Sequence, residues 1–282
     1  CGADARAHGA RAGRTRTCGL GRLAGTATRA FRLSRFAFRT HRPRRTTIKN
    51  PNLVLLPGLL NDASLFEQQA EALADVAGIT IADLTGAATI RQLAADTLAA
   101  APDGQFVLVG LSMGGYVALE IMRQAPERVR ALVLMSTSAH PETREATAAR
   151  EKLIELAETK FQTVIETLLT RMAHPDHART PEVGGMFQSS ANGLGKEVFV
   201  RQERAIIGRI DSRPGLARIK CPTLVICGRE DVITPPAVHE ELVAAIPGAK
   251  LEVIENCGHL SPLEQPEQVT EILRNWLRTL PG

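Results

Sequence analysis

The sequence predicts an α/β architecture: a mostly parallel sheet flanked by helices, with an inserted helical cap. Three observations carry this. From Asn52 onward, short β-rich runs alternate with amphipathic helical patterns, as parallel strands joined by helical crossovers require. Runs such as Val107-Leu108-Val109 are apolar at every position, which suits a sheet covered on both faces. Between about residues 140 and 214 the alternation stops, and helical patterns follow one another with no convincing strand.

Taken in order, the first strand is expected at residues 53–56, ending at Pro57-Gly58, and an amphipathic helix at 64–76. A strand at 79–84 and a helix at 90–101 follow. The apolar strand 106–110 runs straight into Leu111-Ser112-Met113 and a helix over 113–124, and residues 129–135 form the next strand. Three cap helices are expected at 144–160, 161–172 and 196–207, with Pro and Gly punctuation (His174-Pro175, Thr180-Pro181, Gly184-Gly185, Gly193, Gly195) marking turns and hinge points. Strands at 223–227 and 251–254 alternate with helices at 236–245 and 266–279 to complete the core. The core is thus residues 50–139 and 215–281, and the cap residues 140–214.

Charge divides the chain unevenly. Residues 1–49 hold twelve Arg, one Lys and the single acid Asp4, a net +12, so the +4 of the whole chain leaves −8 for residues 50–282. A mildly acidic body argues against a nucleic-acid surface, which needs clustered cations on the folded face. The Arg-rich segment lacks sustained apolar periodicity and is expected to be disordered, either a transit-like peptide or non-native sequence. No uncharged apolar run approaches the roughly 20 residues of a membrane span, so a soluble body is expected. Five cysteines form neither a paired metal pattern nor an even disulfide framework, which suggests reduced thiols in the cytoplasm, or an organelle if residues 1–49 are a transit peptide.

The chemistry centres on Gly110-Leu111-Ser112-Met113-Gly114. A tight strand-to-helix turn projects its central serine at the carboxyl edge of the sheet, and glycines two positions either side let neighbouring backbone pass without a Cβ clash. The helix opening at Met113 aims its amino end at the same spot. A serine hydroxyl needs a base to take its proton, and the base needs a third group to hold its tautomer. Asp231 follows strand 223–227 in Gly228-Arg229-Glu230-Asp231, and His259 follows strand 251–254 in Asn256-Cys257-Gly258-His259. Read alone, Ser112 is equally a helix N-cap, Asp231 a cap for the next helix and His259 a core histidine. Glu230 is an alternative orienting carboxylate. His140, His174, His177 and His239 are expected on surfaces or in turns, and the His174/His177 pair lacks the third ligand of a zinc site. Cys227 and Cys257 suit small buried hydrophobes near the sheet edge.

Together these segments resemble the α/β-hydrolase superfamily over about residues 52 to 280. Gly110-Leu111-Ser112-Met113-Gly114 is similar to its nucleophile elbow, Gly228-Arg229-Glu230-Asp231 to its acid loop and Gly258-His259 to its histidine loop. The resemblance implies a serine hydrolase without cofactor or metal, acting on a small or medium carboxylic ester through Ser112, His259 and Asp231. It also implies an oxyanion hole from the amides of Met113 and Leu59. Thioester, lactone, carbon–carbon bond and perhydrolase chemistries remain alternatives, as does a non-catalytic ligand receptor. Pro57 stands where the family often has His, and the loop Leu84-Thr85-Gly86-Ala87 is shorter than the family's usual run, which trims one pocket wall. The usual amino-terminal β-hairpin has no counterpart, so two strands fewer are expected. Met186, Phe187 and Phe199 are candidate substrate-lining residues from the cap.

Overall fold

The computed structural model describes residues 50–281. Six strands form one sheet: β1 (Asn52–Leu56), β2 (Gly78–Ile81), β3 (Phe106–Leu111), β4 (Val129–Met135), β5 (Thr223–Gly228) and β6 (Lys250–Ile254). They lie in the order β2-β1-β3-β4-β5-β6, and every neighbouring pair is parallel. Every residue of β3 and β5 is buried, which explains their unbroken apolar character. The order steps from β1 to β3 across the centre of the sheet, where connections diverge to opposite faces and leave a crevice at the carboxyl ends.

The crossover helices are α1 (Glu67–Leu73), α2 (Ile90–Ala100) and α3 (Met113–Gln124). After β5 come α7 (Pro236–Ala245), the short α8 (Ser261–Glu264) and α9 (Pro266–Thr279). In α9 the buried residues Val269, Leu273 and Trp276 recur at helical spacing, and this stripe packs toward α1. Helix α1 is shorter than the expected 64–76, because Asp62 caps a 3₁₀ turn at Ala63–Phe66 through its contact with Ser64 N. Strand β2 also ends early. Ala82 N still donates to the Leu55 carbonyl at 2.9 Å, but the Leu84 carbonyl accepts from Gln202 Nε2 of the cap at 3.1 Å.

Between β4 and β5 the described chain is helical. Helix α4 (Arg144–Met172) kinks at Lys160, α5 (Met186–Ile207) kinks at Gly195, and α6 (Arg213–Leu216) leads back to the core. The expected break between 144–160 and 161–172 therefore appears as a kink in one helix. Helix α5 begins ten residues before the expected 196, since Gly193 is accommodated inside it and only Gly195 leaves helical geometry. Among the described residues no helix is long and apolar enough to cross a membrane. The reading of residues 1–49 lies outside the described residues.

Candidate active site

Ser112 is the one residue between β3 and α3, and it takes a strained conformation, φ 54° and ψ −113°. Such geometry costs on the order of 1–3 kcal/mol and persists only where surroundings impose it. Here Ser112 N donates to the Met135 carbonyl at 2.9 Å, and the Ser112 carbonyl accepts from Gly115 N, Tyr116 N and Thr137 Oγ1. A Cβ on Gly110 would strike the Gly114 carbonyl, and one on Gly114 would strike the Leu56 carbonyl. These contacts are why the turn demands glycine at both flanks.

Although Ser112 occupies the N-cap position of α3, its side chain caps nothing. Its Oγ lies 2.8 Å from His259 Nε2 instead, and His259 Nδ1 lies 2.8 Å from Asp231 Oδ2. Asp231 and His259 are buried, and Ser112 is 9% exposed. The Asp231 carboxylate accepts four bonds: Ile233 N and Thr234 N on Oδ1, Thr234 Oγ and His259 on Oδ2. Burial alone would raise its pKa. His259 and the Thr234 donors outweigh that and lower it to about 2, so the carboxylate stays ionised at neutral pH. Glu230 does not reach His259, because its Oε2 accepts from Cys257 N at 2.9 Å and so braces the histidine loop.

The loop after β1 runs past the serine. A Cβ on Gly58 would sit 3.4 Å from Ser112 Cβ, and Leu59 lines the same cavity as Ser112 and His259. Among the described residues neither the Leu59 nor the Met113 amide donates to a protein acceptor, which leaves both N–H groups available to a substrate oxygen. The loop is fastened to the cap: Leu60 N donates to Gln202 Oε1 and Asp62 N to Ser190 Oγ.

Above Ser112 lies a cavity of about 130 Å³, walled by Leu59, Leu153, Leu168, Met172, Ile206 and Ile233. Met186, Phe187 and Phe199 are not in its walls, which corrects the expectation from sequence. Phe187 and Phe199 are wholly buried, Phe199 lies 5.9 Å from the Phe161 ring, and Met186 packs against the core. The cap residues that do line the cavity come from α4 and the end of α5. A larger cavity of about 490 Å³ shares Tyr116 but includes neither Ser112 nor His259.

Several supporting residues carry no signal in the sequence. His239, expected on a surface or in a turn, is fully buried, and its Nε2 accepts from Thr137 N at 3.0 Å. Thr137 in turn holds the Ser112 carbonyl. Glu264 is buried, accepts from Gly258 N, Leu260 N and His174 N, and lies 3.1 Å from His177 Nδ1. His174 and His177 therefore join the cap end to the His259 loop. His239, His174 and His177 each bond to a partner more than 80 residues away in the sequence.

The alpha/beta hydrolase fold family matches residues 51–266. The chain belongs to this family. A pimeloyl-[acyl-carrier protein] methyl ester esterase from Nitrosomonas europaea is 29% identical over 239 residues, covering 79% of this chain and 94% of that protein. Among solved structures, a thermophilic esterase from Thermogutta terrifontis is 30% identical with a TM-score of 0.75, covering 82% of this chain and 91% of that one. The enol-lactonase from Burkholderia xenovorans LB400 is 27% identical with a TM-score of 0.71, covering 82% and 92%. This alpha/beta hydrolase is a hydrolytic enzyme.

Proposed function

We propose that the chain is a serine esterase acting on small or medium carboxylic esters through an acyl-enzyme. The observation that carries this is the continuous line from Ser112 Oγ through His259 to an ionised Asp231, set at the floor of a cavity. The named activities of the esterase relatives support the same class.

In this reading Ser112 Oγ attacks the ester carbonyl carbon while its proton passes to His259 Nε2. The carbonyl oxygen becomes an oxyanion that accepts from the amides of Leu59 and Met113. His259, held by Asp231 in the tautomer with its proton on Nδ1, then returns the Nε2 proton to the departing alkoxide as the carbon–oxygen bond breaks. Water enters, gives a proton to His259 and attacks the acyl carbon, and the acid leaves as Ser112 Oγ regains its proton. Losing one oxyanion donor in such a centre costs about 10²–10³ in turnover.

Ser112→Ala is expected to abolish release of p-nitrophenol from short-chain p-nitrophenyl esters without altering the circular dichroism spectrum. Undiminished turnover by a folded Ser112→Ala protein would sink the assignment. A panel of esters, thioesters and lactones of graded acyl length ranks the substrate classes.

A further inference from the structure

The cavity above Ser112 holds three polar groups that ester cleavage leaves unused: Tyr116, Arg150 and Arg171. No Asp or Glu lines it. Arg150 Nε donates to Glu142 Oε2 at 2.6 Å and its Nη1 to Glu203 Oε2 at 2.7 Å. Both acids are almost fully buried and lie outside the cavity wall. Among the described residues Arg150 Nη2 has no acceptor, and neither has the Tyr116 hydroxyl. Glu142 is shared with Arg209, whose guanidinium sits 4.4 Å over the Tyr116 ring. Arg150 and Tyr116 are thereby fixed by the same cluster, with hydrogen-bonding capacity to spare.

Arg150 and Arg209 balance Glu142 and Glu203, whereas Arg171 adds a cation that pairs with no described carboxylate. A neutral alkyl ester would leave the two donors facing apolar atoms. A carboxylate would accept from both, in the preorganised geometry that favours guanidinium–carboxylate recognition.

We propose that Arg150 and Tyr116 form a carboxylate-binding subsite, so that the enzyme prefers short esters carrying a free carboxylate over neutral esters of the same shape. This rests on the ester-hydrolase reading. The small cavity limits the preferred substrate to a few carbons between the carboxylate and the scissile carbonyl.

The test compares ethyl hydrogen glutarate with ethyl 4-carbamoylbutanoate, its neutral amide counterpart, by ethanol release. For the full wild-type chain, kcat/KM is expected to be at least about tenfold higher for the carboxylate ester. That ratio should fall toward one in Arg150→Gln/Glu203→Gln, which removes one buried charge of each sign, and by a smaller factor in Tyr116→Phe, which keeps the ring beneath Arg209. Fluorophosphonate labelling of each variant reports whether the centre is intact. A wild-type ratio at or below one overturns the subsite, and so does a ratio unchanged in both variants. If the double variant fails to fold, the wild-type ratio and Tyr116→Phe still decide. A wild-type protein that hydrolyses neither ester and takes up no fluorophosphonate overturns the ester reading itself, whereas a labelled protein without the carboxylate preference overturns only the subsite.

Discussion

Glu264 lies outside the lining of the cavity over Ser112, yet it braces the loop that carries His259. Its carboxylate gathers the backbone amides of Gly258 and Leu260, on either side of His259, and that of His174 at the cap end. His259 N meanwhile donates to the Met172 carbonyl at 2.7 Å, so the loop is clamped from both sides. Glu264→Gln puts an NH₂ group where backbone donors already point. We expect kcat to fall about 10²-fold as the imidazole shifts relative to Ser112, together with a lower Tm. Wild-type kcat in this variant would contradict the positioning role. Ser112, Asp231 and His259 stood out in the sequence because each follows a strand that ends at one edge of the sheet. Glu264, Thr137 and His239 did not. Their roles come from partners brought close only by the fold, and a buried Glu has the same sequence appearance as a solvated one.

Among the elements, the cap helices were the hardest to bound. Periodicity placed a break at residues 160–161, and the chain does kink at Lys160, yet the same glycine punctuation concealed the first half of α5. Glycine signals a break only where the backbone leaves the region open to L-residues. Gly195 does so, with φ 80° and ψ 172°, while Gly193 stays helical and a Cβ there would meet open space. The two positions therefore predict opposite outcomes. Gly195→Ala should destabilise by about 1–3 kcal/mol, lowering Tm by several degrees. Gly193→Ala should stabilise by about 0.5–1 kcal/mol. Thermal unfolding of both checks this, and equal shifts of the same sign would refute it. The pocket residues were missed for a related reason: cap phenylalanines look like ligand contacts in sequence, but α5 turns Phe199 onto Phe161 and presents Ile206 to the cavity.

For the molecule as a whole, the sheet was legible because parallel strands buried on both faces are continuously apolar, and the intervening helices are not. That frame delivers the loops after β1, β3, β5 and β6 to one edge, where Leu59, Ser112, Asp231 and His259 meet. Its stability should depend on pH through His239. Burial lowers this imidazole from 6.5 to about 4, so the folded state holds it neutral while the unfolded chain protonates it. A depressed histidine pKa gives stability that is full above about 6.5 and lost as pH falls toward 4, on the order of 3 kcal/mol. Tm should drop over that window, and His239→Gln should flatten the drop; an equally steep fall in the variant would contradict it. Asp231 acts lower, its contribution persisting until pH falls from about 4 toward about 2. In the proposed reaction Ser112 is the nucleophile. Peptide mapping by mass spectrometry after fluorophosphonate treatment tests it most directly. The adduct should sit on Ser112 and vanish in Ser112→Ala along with ester turnover; an adduct on another residue, or none on an active enzyme, would contradict it.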